Sequence, residues 1–89
     1  MEKEALKKEQ EQYLEKMTKN LPVLRASLRM SQRELAKKIG VTRQSMMNIE
    51  TKRRPLQWST YLALVLVFQQ NEDTKKLLSS LELFDESLL

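Results

Sequence analysis

Apolar side chains recur along this chain at helical rather than alternating intervals. Leu35, Ala36 and Ile39 stand at i, i+1 and i+4, Leu21, Leu24 and Leu28 at i, i+3 and i+7, and Leu77, Leu78 and Leu81 repeat the pattern near the C-terminus. Such spacing gathers them on one side of a helical turn. Residues 58–69 are apolar on most sides, with Trp58, Tyr61, Leu62, Leu64, Val65, Leu66, Val67 and Phe68, which predicts a buried helix. A strand over L-A-L-V-L-V-F would have no partner in the chain. Residues 2–19 are strong helix formers without Gly or Pro, but their stripe is thin: Leu6, Tyr13, Leu14 and Met17, with Ala5 and Gln10 in its gaps. That helix can pack on the core, pair with a second subunit or fray, and it is too short for a sustained coiled-coil seam. Pro22 predicts a break at Asn20 or Leu21 and a new helix over about 22–29.

The polar residues punctuate this pattern. Ser31 and Glu34 form an S-x-x-E capping box that starts a helix. Gly40, the single glycine, permits the left-handed conformation that stops it. Thr42 can cap the next helix, which turns Met46 and Ile49 inward. Gln44, Met47, Asn48 and Thr51 share another face of it at i, i+3, i+4 and i+7. Asn71 or Asp73 can begin a last helix over about 72–83, followed by Leu83, Phe84, Leu88 and Leu89, which complete the core or bury against a second subunit. No internal repeat or flexible linker is evident.

Two short helices joined through a Gly-containing turn make a helix-turn-helix unit. The run S-Q-x-E-L-A-x-x-I-G-V-T-x-x-x-M-x-x-I-E over residues 31–50 resembles the Cro/C1 type of helix-turn-helix domain found in lambdoid phage repressors, and the likeness extends over residues 21–68. It implies an all-α, five-helix, lambda repressor-like domain over residues 21–89, preceded by an N-terminal helical extension over residues 1–20. It also implies an ion pair between Arg25 and Glu50. One position departs from the pattern: the family usually has Gly two residues after the closing Glu, and Lys52 stands there. A non-Gly residue in a left-handed position costs on the order of 1 kcal/mol. Either the helix ends differently or that cost is tolerated.

Composition narrows the function. One domain is the expectation for 89 residues, with no separate effector-binding domain. The absence of Cys and His removes thiolate chemistry, the common zinc sites and His acid/base catalysis, so neither an enzyme nor a cofactor is expected. No apolar run reaches membrane-span length and the N-terminus is unlike a signal peptide, which points to a cytoplasmic protein. The net charge of +4 is unevenly spread. Residues 1–19 balance five Lys against five Glu, residues 20–55 carry nine Lys and Arg against two Glu, and residues 56–89 are net acidic. The positive charge thus coincides with the helix-turn-helix pattern, as a phosphate-backbone partner requires.

The resemblance assigns roles residue by residue. Gln32, Arg43, Gln44 and Asn48 occupy base-reading or bracing positions, and Met47 joins them as a contact for a thymine methyl. Ser31, Arg33, Ser45, Lys52, Arg53 and Arg54 are expected at phosphates. The expected partner is double-stranded DNA, a pseudo-palindromic operator bound by a homodimer whose half-sites lie about 34 Å apart. The dimer surface would be the N-terminal helix or the C-terminal leucines. A transcriptional regulator, expected to act as a repressor and working at the bacterial or phage nucleoid, is the reading this supports. The alternatives are an antitoxin of the same fold that also binds a toxin protein, and a protein-interaction module without DNA binding.

Overall fold

A computed structural model describes the backbone of residues 2–88 and the side chains of residues 7–88. Ala5 and Leu6 of the expected N-terminal stripe lie outside the described side chains, and Leu89 lies outside the described residues altogether. Among the described residues five α-helices follow one another: α1 (Glu2–Ser27), α2 (Gln32–Ile39), α3 (Arg43–Glu50), α4 (Trp58–Gln69) and α5 (Glu72–Ser80). A 3₁₀ turn, Glu86–Leu88, comes last, and the described residues include no strand. None of the described helices is long and apolar enough to cross a membrane.

α1 is the frame. At 1.5 Å per residue its 26 residues extend about 39 Å, matching the 40 Å long dimension of the molecule. It packs on α3, α4 and α5, while α2 packs on α3 and α4. The break expected at Asn20 or Leu21 does not occur, and α1 runs through Pro22. Asn20 lies inside the helix, where its Nδ2 donates to the Lys16 carbonyl at 2.8 Å. An interior proline costs about 3 kcal/mol through its missing N–H and its clash with the preceding turn. Met17, Leu21 and Leu24, on both sides of it, are completely buried. Each such burial contributes about 1.5–3 kcal/mol, so the flanking contacts outweigh the local penalty.

The core joins these three residues to Leu35, Ala36, Met46, Ile49, Leu56, Tyr61, Leu64, Val65, Phe68, Leu78 and Leu83. Two buried side-chain hydrogen bonds fix its far end. The Tyr61 hydroxyl donates to the Leu83 carbonyl at 2.6 Å, and the Thr74 hydroxyl donates to the Phe68 carbonyl at 2.6 Å. Burial raises the Tyr61 pKa well above the usual tyrosine range, keeping that donor protonated. Of the C-terminal leucines, Leu78 and Leu83 therefore complete the core of their own chain. α4 is less buried than its composition predicts: Tyr61, Leu64, Val65 and Phe68 face inward, but Leu66 is 61% exposed.

Four helices end in the same way. A left-handed residue sits just past α1 (Arg29, φ 56°), α2 (Gly40, φ 79°), α3 (Lys52, φ 63°) and α5 (Glu82, φ 53°). In each, its N–H and the next N–H turn back to carbonyls of the last helical turn, the Schellman pattern. For α2 and α5 the residue after it, Val41 or Leu83, is apolar and returns to Ala36 or Leu78. After α3 the pair is Arg53 and Asn48, with the Arg53 N–H 2.8 Å from the Asn48 carbonyl, and no apolar contact helps. Helix α3 thus ends as a glycine would end it, with Lys52 bearing the strain.

Candidate nucleic-acid interface

The start of α2 is fixed by its cap. Ser31 Oγ accepts from the Glu34 N–H at 3.1 Å, and Glu34 Oε1 accepts from the Ser31 N–H at 3.1 Å. Hydrogen bonding from the Ser31 N–H and, more weakly, from the Ser31 side chain pulls the exposed Glu34 carboxyl below its ordinary pKa. The cap also commits the Ser31 N–H, so the amides of Gln32 and Arg33 are the donors that this helix start leaves without an intrahelical partner. Leu35 and Ala36 then hold α2 to the core.

α3 is clamped along its inner side and at its end. Thr42 Oγ1 accepts from the Ser45 N–H and donates to Ser45 Oγ, both at 3.0 Å. Met46 is completely buried and Ile49 nearly so. At the last turn Arg25 grips Glu50 with two hydrogen bonds, Nε to Oε2 at 3.1 Å and Nη2 to Oε1 at 3.0 Å, while its Nη1 donates to the Met30 carbonyl at 3.2 Å. The expected ion pair is therefore present, and it occupies all three arms of the guanidinium.

These constraints decide what faces outward. Arg43 and Gln44 are exposed, and Ser45, Met47 and Asn48 are half-buried. Gln44 Nε2 donates to Asn48 Oδ1 at 3.3 Å, so the two amides stand side by side on consecutive turns. Thr51 is exposed but bonds back to the Met47 carbonyl at 2.8 Å. The outer face of α3 therefore offers a guanidinium, two paired amides and part of a thioether, all short of deep burial.

Two concavities adjoin the α2–α3 pair. One, of about 540 Å³, brings Ser31, Gln32, Arg33 and Arg43 together with Arg25. Arg33 and Arg43 form no salt bridge there among the described residues, whereas Arg25 is neutralised by Glu50. The other, of about 830 Å³, lies between α1 and the loop after α3, and Lys52 and Arg54 line it. Gln44, Ser45, Met47, Asn48 and Arg53 lie in neither. Sequence reasoning left out Lys16 and Lys19, which also line the second concavity. No local pattern could have found them, because their segment is electrically balanced and its approach to residues 52–56 is a long-range contact.

Among the described residues no group of three His, Cys, Asp or Glu could hold a metal ion. Comparison with family models, with curated proteins and with solved structures gave no match for this chain.

Proposed function

We propose that this chain is a sequence-specific DNA-binding transcriptional regulator, with α2, the turn at residues 40–42 and α3 forming a helix-turn-helix unit of the Cro/C1 type. α3 enters the major groove, and the protein acts as a homodimer on a pseudo-palindromic operator in a bacterial or phage setting, repressing by occupying that site. The observation that carries this reading is the division of α3 into a locked inner side and an open polar outer side. Met46, Ile49 and Glu50 are held by the core and by Arg25, while Arg43 and Gln44 are exposed and Asn48 is half-buried beside Gln44.

The dimensions support it. A helix with its side chains is about 10–12 Å across, comparable to the width of the major groove, which is about 12 Å. Arg43 suits guanine O6 and N7, and Gln44 or Asn48 suits adenine N6 and N7, each good pair contributing about 1–3 kcal/mol of discrimination. The Gln44–Asn48 hydrogen bond holds both amides in register before any partner arrives, which lowers the ordering cost on binding. Arg33, Arg53 and Arg54, with Lys52, supply sequence-independent attraction to the backbone. One α3 touches few base pairs, and two copies related by a two-fold axis double the reading.

Selection of bound duplexes from a randomised pool tests the proposal. The expected product is a pseudo-palindrome with half-sites about one helical turn apart. Recovery of unrelated sequences, with affinity the same for all of them, would count against it.

A further inference from the structure

The second concavity is not accounted for by the helix pair alone. Its loop wall consists of Lys52, Arg54, Pro55 and Leu56, and its α1 wall includes Leu14, Thr18 and Lys19. Lys19, Lys52 and Arg54 are exposed and form no salt bridge among the described residues. Lys16, the fourth cation, is engaged elsewhere: its Nζ lies 4.0 Å from Glu82 and 5.6 Å from the centre of the Tyr13 ring. Three unpaired cations from two segments far apart in sequence therefore share one groove.

We propose that this groove takes a phosphodiester of duplex DNA, with Lys19 of α1 contacting the backbone beside Lys52 and Arg54. The inference rests on the DNA-binding reading and extends it to a helix outside the α2–α3 unit. Lys52 and Arg54 fix the chemistry, because a loop following an inserted helix runs beside the sugar-phosphate backbone. Lys19 adds a cation from a rigid element, since the buried Met17 and Leu21 on either side of it hold this part of α1 to the core. Glu11 and Glu15 line the same groove, two turns and one turn before Lys19. Their carboxylates repel phosphate and limit how far along α1 the backbone can lie.

The test is the affinity of the full chain for a random-sequence duplex, measured by fluorescence anisotropy across a salt series. Lys19→Gln should weaken binding roughly five- to tenfold at about 0.1 M salt and reduce the slope of log affinity against log salt by about 1. Glu11→Gln combined with Glu15→Gln should strengthen binding roughly threefold or more. Lys75→Gln on α5, exposed and outside the groove, controls for net charge and should change little. A Lys19→Gln effect no larger than that of Lys75→Gln overturns the proposal while leaving the α3 reading intact, and it is also the result expected if the groove serves an acidic protein segment. Failure of the unaltered protein to bind any duplex at low salt removes both.

Discussion

Replacing Arg25 by Met should cost about 3 kcal/mol of stability, because it strands a carboxylate. The Glu50 side chain is only 5% exposed, and its two oxygens receive Arg25 Nε and Nη2 at 3.1 and 3.0 Å. Breaking a buried pair from one side costs about 3–5 kcal/mol, most of it from the charge left behind. The lower end applies here because Arg25 is itself 22% exposed, so water can reach part of the vacated space. A domain of this size has a total stability of roughly 4–13 kcal/mol, which makes the loss a large fraction of the whole. It corresponds to a fall in Tm of about 12–24 °C. Urea unfolding followed by far-UV circular dichroism, checked against the fluorescence of Trp58, measures it; coincident transitions justify a two-state treatment. Pairing Arg25→Met with Glu50→Met should recover most of the loss, since neither charge then remains buried. A single-variant cost below about 1 kcal/mol would refute the claim that this pair anchors the end of α3 to α1.

Three further substitutions examine the helix ends. Lys52→Gly removes a left-handed penalty of about 1–2 kcal/mol but adds about 0.4–1 kcal/mol of unfolded-state entropy, so stability should rise by about 0.5 kcal/mol while duplex affinity falls. Glu82→Gly should show the same small stabilisation without the loss of affinity, which separates backbone strain from charge. Glu34→Gln examines the cap of α2. The folded-state pKa of Glu34 is lowered by its bonds to Ser31, so its contribution is present above the unfolded-state pKa and lost as pH falls through the folded one. The stability difference between the original protein and Glu34→Gln, from urea unfolding at a series of acid pH values, should therefore shrink below about pH 4.3.

The parts of this fold legible in the sequence are those governed by local chemistry. Ser31, Glu34, Gly40 and Thr42 act within a few residues of themselves, and the bounds of α2 and the start of α3 follow from them. α4 likewise occupies its expected span. Pro22 misled because the local rule is real but smaller than the burial of Met17, Leu21 and Leu24, which only the tertiary structure supplies. At Lys52 the alternatives are resolved in favour of a tolerated left-handed residue, since the hydrogen bonds past α3 exist without glycine. Leu66 shows the limit of composition: an uncharged helix need not be buried all round. The last helix stops at Ser80 rather than 83, because Glu82 turns left-handed and carries Leu83 into the core. At the candidate site, the cap and helix faces were readable, whereas the meeting of Lys19 with Lys52 and Arg54 depends on how α1 lies against a loop over thirty residues away.

The central claim is that the outer face of α3 reads bases, and Gln44→Ala tests it most directly. Gln44 is exposed, so its removal leaves the core untouched. With a selected duplex and its single-base variants, equilibrium binding at fixed salt should show preference relaxed by about 1–3 kcal/mol at one position of each half-site and retained elsewhere. Equal weakening on every duplex, with the preference unchanged, would contradict the assignment of α3 as the reading helix in this register.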